Sequence, residues 1–213
     1  MRVLYATNSS AEVPLSLIRW CRQNYLDLFI SRSLDELSLT VQKFDKNDLL
    51  IADRLPFIIP RLLLEQSRFL CVNVHPALLP KHKGSYSLFW SALLHEECGV
   101  SVHEITHEVD SGNLFLQERI KFDSLITFRE LYTEVRLQTE LLILTFLREY
   151  FEGKTTQTKQ GESATPVHTK NSTLPLLAKL PLGWDTRIKD AREILESELR
   201  TLDWVTSLRH QSS

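Results

Sequence analysis

Residues 69–112 read FLCVNVHPALLPKHKGSYSLFWSALLHEECGVSVHEITHEVDSG, and the division of this stretch decides the fold. Phe69 to Val74 is an apolar run of strand length. Ser85 to Glu96 has helical apolar spacing and stops before Gly99, and Val100 to Thr106 is the next strand. The same alternation runs upstream. Arg2 to Thr7, Asp27 to Ser31 and Asp48 to Ala52 read as strands, and Ser10 to Asn24 and Pro60 to Gln66 as helices, with Pro14 tolerable in a first turn. Ser33, with Glu36 three residues on, has the form of a capping box for another helix. Strand-helix alternation of this kind predicts an α/β fold with a largely parallel sheet.

Downstream the pattern changes. Val100 to Thr106 and Leu114 to Phe122 are strands joined through the turn-rich VDSGN, which reads as an antiparallel pair added to the parallel sheet. Leu125 to Phe151 follows as a long amphipathic helix with Leu131, Val135, Leu142 and Phe146 on its apolar face. Gly153 to Ser172 is polar and reads as a surface hairpin or loop, and Ile188 to Leu202 as a last helix. The expected organisation is a core over residues 1–152 with a C-terminal segment, 153–213, packed on it.

Composition narrows the function. The chain has 213 residues and only six glycines, none before Gly84. A GxGxxG dinucleotide fingerprint or a P-loop is therefore excluded from the N-terminal part, because both need glycine where the backbone approaches a phosphate. A net charge of −2 gives no electrostatic reason to expect nucleic acid or an anionic membrane as partner. No signal-type h-region or membrane-length apolar run is present, and Cys21, Cys71 and Cys98 form no CxxC. These features lead to the expectation of a soluble protein of the reducing cytoplasm with buried thiols.

The chemistry concentrates in Asn73 to Gly112. Asn73 and His75 lie two apart at a strand end, so their side chains share one side of the sheet. The carboxyl ends of strands are where open α/β sheets bind ligands. Asp110 follows the next strand in a loop held by Ser111 and Gly112. An amide, an imidazole and a carboxylate converging there suit acyl or formyl transfer to an amine, with two groups holding the developing oxyanion and one managing protons. One competing pattern is literal: His103-Glu104-Ile105-Thr106-His107 is HExxH. A zinc protease needs that motif on a helix. The β-branched, alternating run from Gly99 favours a strand, where residues four apart sit about 13 Å from each other.

Asn73-Val74-His75-Pro76-Ala77-Leu78-Leu79-Pro80, then Gly84, Gly99-Val100-Ser101-Val102-His103 and Val109-Asp110-Ser111-Gly112 together resemble the folate-dependent formyltransferases. That group includes glycinamide ribonucleotide, methionyl-tRNA and sugar-nucleotide N-formyltransferases. The resemblance implies a Rossmann-like formyltransferase fold and 10-formyltetrahydrofolate as formyl donor, with no metal. It implies that Asn73 and His75 polarise the formyl group and hold the oxyanion, and that Asp110 relays protons. It places Ser101 and His103 just behind these three. It assigns Ala52, Asp53, Leu55, Phe57 and Ile58 to the segment whose backbone holds the pterin, and it implies a cis Leu79–Pro80 bond. A non-catalytic binding module of the same fold is a further class, against which the intact Asn-His-Asp set counts.

The acceptor is read from the first loop, Ala6 to Ala11. It lacks the glycine that would let its backbone form an anion cradle, which counts against the phosphoribosyl substrate of purine synthesis. The chain has no room for the further domain of the transfer-RNA enzymes, nor the basic balance that tRNA binding favours. The expected acceptor is an amine on a nucleotide-linked sugar, with an amine on a biosynthetic carrier also open and glycinamide ribonucleotide, whose enzyme has a chain of similar length, as the alternative. Thr7, Asn8, Ser9 and Ser10 would hydrogen-bond it, and Lys81 and Lys83 would meet a phosphate. The long helix and the last helix could each supply the face of a homodimer, and the sequence does not decide the oligomeric state.

Overall fold

A computed structural model describes residues 1–94 and 97–205. Six strands form one mixed sheet in the order β2-β1-β3-β4-β5-β6: β1 Arg2–Thr7, β2 Asp27–Ser31, β3 Leu49–Asp53, β4 Leu70–His75, β5 Cys98–Glu104 and β6 Leu114–Ile120. The β1–β2, β1–β3 and β3–β4 pairs are parallel and β4–β5 is antiparallel. The bond from Glu104 N–H to Asn113 O closes β5 onto β6 as a hairpin. The fold class is the α/β arrangement the sequence predicts, with its added antiparallel strands.

The chain divides into two compact units. The first comprises Met1–His75, Ser101–Leu116 and Thr139–Gln160. Val3 to Ala6 in β1 and all five residues of β3 are buried, as central strands covered on both faces must be. On one face Leu4, Ala6, Leu50, Ala52 and Cys71 pack with Leu37 and Val41 of α2 (Leu34–Val41) and Leu63 of α3 (Arg61–Gln66). The cap of α2 forms as expected at Ser33, whose hydroxyl accepts from Glu36 N–H, while the Glu36 carboxylate takes Arg32 N–H one residue earlier. Helix α1 is shorter than expected, Leu15–Gln23 rather than Ser10 to Asn24. Asn8 accepts from both the N–H and the hydroxyl of Ser10, a turn that competes with helix formation.

The second unit comprises Pro76–Val100, Gln117–Gln138 and Gly161–Ser213. It contains the cis Leu79–Pro80 bond. Its α4 spans Ser87–Leu93 and starts later than Ser85, because Tyr86 is left-handed at φ 59°; the far end of the expected helix, 95–96, lies outside the described residues. Trp90 stacks on His168 with ring centroids 4.6 Å apart and donates Nε1–H to Thr173. His168 in turn meets His82, Nε2 to Nδ1 at 3.1 Å. Gly84 is required at this point: at φ +87° a Cβ would sit 2.2 Å from His168 O, which accepts from Ser85 N–H.

Most of 153–172 is exposed, as a surface segment should be, but these contacts bury Thr165 and His168. The following helix α6, Lys170–Leu177, was not expected. Its capping box uses Ser172 instead of Glu or Gln, and Pro175 lies within it. The last helix is two, α7 Ile188–Ile194 and α8 Glu196–Arg200, broken at Leu195. Trp184, without a role in the sequence, packs against the Tyr86, Phe128 and Tyr132 rings. The long helix, α5, spans Phe128–Phe151. Among the described residues, no helix is long and apolar enough to cross a membrane.

Candidate active site

Register builds the site. Antiparallel pairing sets Asn73 opposite His103 and His75 opposite Ser101. Directly opposed residues share a sheet face, so four polar side chains emerge together near the carboxyl end of β4. His75, Ser101 and His103 are buried. Asp110 enters from the β5–β6 connection in a left-handed conformation, φ 49°, which aspartate tolerates better than most residues. Gly112 permits the return, since a Cβ there would lie 2.0 Å from Glu104 O.

The Asp110 carboxylate is the hub. Oδ1 is 3.3 Å from Asn73 Nδ2 and 3.3 Å from His103 Nε2, and Oδ2 is 3.4 Å from His75 Nδ1. Asn73 Nδ2 also lies 3.1 Å from His103 Nε2. His103 Nδ1 lies 2.8 Å from Glu104 O. A carbonyl only accepts, so Nδ1 carries the hydrogen, and in the neutral ring Nε2 accepts from Asn73. A proton arriving on this ring would instead bind Nε2 and point to Asp110. The cluster can therefore hold or pass a proton among a carboxylate and two imidazoles without moving backbone.

The segment beginning at Ala52 leaves β3 beside this cluster, with Ala52 in register with Asn73 and Asp53 with Val74. Ala52 and Asp53 are buried, and Asp53 Oδ2 accepts from Tyr5 Oη at 2.5 Å. Leu55 and Phe57 pack on the core, and Ile58 is exposed. In the first loop, Asn8 is half-buried and Ser9 and Ser10 are exposed. Two residues unnoticed in the sequence hold this loop. Arg32 Nη1 donates to Asn8 O and Ala11 O, and Arg54 donates to Glu12 O and Asp53 Oδ2. Lys81 and Lys83 belong to the second unit, where Lys83 O accepts from His168 N–H.

Thr7 is fully buried, and its hydroxyl has no hydrogen-bond partner among the described residues. An unpaired buried hydroxyl costs roughly 1–3 kcal/mol. Thr7→Val is therefore expected to leave urea stability unchanged or raise it by about 1 kcal/mol. A fall of that size would show that the hydroxyl is bonded in the folded protein.

The remaining sequence motifs resolve by geometry. His103 and Glu104 end β5, and 105–107 are not helical, so HExxH lacks the helix a zinc site requires. Burial pushes the Cys21 thiol up to about 11 and those of Cys71 and Cys98 up to about 12, which keeps all three protonated and poor nucleophiles.

The profile of the Formyl transferase family matches residues 31–146, more than half of the chain. The chain is 30% identical over 113 residues to a methionyl-tRNA formyltransferase of Rickettsia prowazekii, covering 52% of this chain and 37% of that one. It spans less than half the length of the curated relatives it matches. Among solved structures, it resembles the formyltransferase PseJ of Anoxybacillus kamchatkensis, in complex with UDP-4,6-dideoxy-4-formamido-L-AltNAc and tetrahydrofolate. That likeness has a TM-score of 0.77 at 22% identity and covers 90% of this chain and 97% of that one. It also resembles an N-formyltransferase of Helicobacter canadensis in complex with folinic acid and dTDP-3-aminofucose, with a TM-score of 0.66 at 17% identity over 84% and 74% of the two chains. At these identities the two structural likenesses establish the fold.

Proposed function

The chain belongs to the formyl transferase family, and from that premise we propose that it moves a formyl group from 10-formyltetrahydrofolate to a primary amine on a nucleotide-linked sugar. The observation that carries the reading is the convergence of Asn73, His75 and His103 on Asp110. A reduced folate bound against Ala52, Asp53, Leu55, Phe57 and Ile58 would supply an activated formyl group. A burial-lined strand end beside an imidazole and an amide suits such a planar donor. Asp110 accepts a proton from the attacking amine nitrogen and returns it to the folate nitrogen as the carbon–nitrogen bond to that nitrogen breaks. His75, held by Asp110 through Nδ1, and Asn73, turning toward it the N–H that otherwise meets Asp110 Oδ1 at 3.3 Å, share the developing oxyanion. His103 holds the Asn73 amide in place from behind.

Support for the sugar comes from the structural neighbours. One, bound to a UDP-linked formamido sugar, is matched over nearly its whole length, and another is bound to dTDP-3-aminofucose. Asn8, Ser9 and Ser10 then face the acceptor side. The curated relatives favour a second acceptor, methionyl-tRNA, and glycinamide ribonucleotide is a third.

Incubation with 10-formyltetrahydrofolate and each of three acceptor types tests this. The acceptors are UDP- and dTDP-linked amino sugars, glycinamide ribonucleotide and methionyl-tRNA. The expected result is one tetrahydrofolate released per formylated sugar nucleotide. Formylation of methionyl-tRNA or glycinamide ribonucleotide alone would replace the sugar. Folate binding without turnover would leave a binding module, and stoichiometric zinc would reopen the hydrolase reading.

A further inference from the structure

We infer that Gln160 is a positioning residue that sets where the Asp110 carboxylate stands. The inference rests on the reading of Asp110 as the proton relay. Gln160 Nε2 donates to Asp110 O at 3.0 Å and to Gly112 O at 2.6 Å. Both partners are carbonyl oxygens, so the amide has only one satisfactory orientation, with its NH2 toward the loop. The opposite atom, Oε1, is buried and has no partner among the described residues. A buried acceptor left unpaired carries a desolvation cost, and a chain that keeps one is spending stability on the geometry of the donors beside it.

The clamp is part of a longer seam. Thr158 and Leu114 exchange two backbone bonds of 2.8 Å, and Gln157 Oε1 accepts from Asn113 Nδ2. Residues 157–160 thus run alongside 110–114 and fix the loop from outside the sheet. The backbone so held is the left-handed turn that aims Asp110 at Asn73, His75 and His103. Gln160 lies beyond the segment matched by the family profile, which ends at residue 146.

The test compares Gln160→Met, close in size and without donors, with the unaltered chain and with Lys159→Met as an exposed neighbour. Two readouts are taken: steady-state transfer from 10-formyltetrahydrofolate to a UDP-linked 4-amino-4,6-dideoxy sugar, and the carbon-13 imidazole NMR signals of His75 and His103. The expected result is a kcat lowered by about 10- to 100-fold with both KM values little changed, since a misplacement of about 1 Å is worth that much. Both imidazole signals should move, and Lys159→Met should show neither effect. A kcat within twofold, or unmoved imidazole signals, overturns the inference. Gln160→Glu sets a carboxylate against the two carbonyl oxygens; it is expected to show both effects and replaces the Met variant if that does not fold. An unaltered chain that transfers nothing defeats the functional reading instead, and the NMR signals then decide the clamp alone.

Discussion

Asp110→Asn is expected to lower kcat for formyl transfer by about 10²- to 10⁴-fold, the range a positioned acid–base group supplies, with affinity for 5-formyltetrahydrofolate little changed. The reasoning follows from what the carboxylate touches. Its two oxygens lie within 3.4 Å of three nitrogens, on Asn73, His75 and His103. An ionised carboxylate accepts from Asn73 and His75, and from His103 once that ring carries a proton on Nε2. An amide of the same shape accepts on one side only and turns its NH2 toward a donor on the other. The charge that holds a protonated imidazole is lost, and so is the atom that takes the amine proton. The fold has less at stake, because this side chain keeps 12% exposure at the site mouth. Loss of turnover with retained folate binding and near-native thermal stability is the signature. A kcat within tenfold of the unaltered chain would remove Asp110 from the proton path.

The legible part of this site is the part written in short-range pattern. Asn73 and His75 declare themselves because a two-residue period at a strand end puts both on one face. The β-branched run through His103 identifies a strand, whereas the register that opposes His103 to Asn73 is visible only in the sheet. Asp27–Ser31 has the bounds the sequence predicts, because its neighbours are a turn and a capped helix. Gln160 has no such signal. It sits in a polar segment without periodicity, and its partners are backbone carbonyls 48 and 50 residues away, which any sequence supplies. The same holds for Arg32 and Arg54, whose targets in the first loop are also carbonyls. The buried His82–His168 pair escapes for a related reason. Its two histidines are 86 residues apart, and each alone reads as a surface residue in a basic or polar stretch. Side chains that bond backbone at long range leave no compositional trace, whereas those that share a strand with their partners do.

Asn73 and Asp110 are expected to act as one unit, which a double variant can show. Asn73→Ala removes an oxyanion donor and should lower kcat by about 10²- to 10³-fold. It also strips the contacts that Asn73 makes with Asp110 at 3.3 Å and with His103 at 3.1 Å. The carboxylate left behind keeps its contacts with His75 and His103 but loses the amide that orients its Oδ1. Conversely, Asp110→Asn replaces a charged acceptor of the Asn73 N–H by a neutral one that can face only one of its donors, so the amide is held less firmly where the oxyanion forms. Each single change thus damages the function of the other residue. Groups that work together in this way lose less in combination than the product of their separate losses. If they were independent, the double variant would fall by about 10⁴- to 10⁷-fold from the ranges above. The expected loss is instead within a few-fold of the worse single variant. A multiplicative loss would mean that amide and carboxylate serve separate steps. The contacts joining Asn73, His103 and Asp110 would then organise structure without coupling the chemistry.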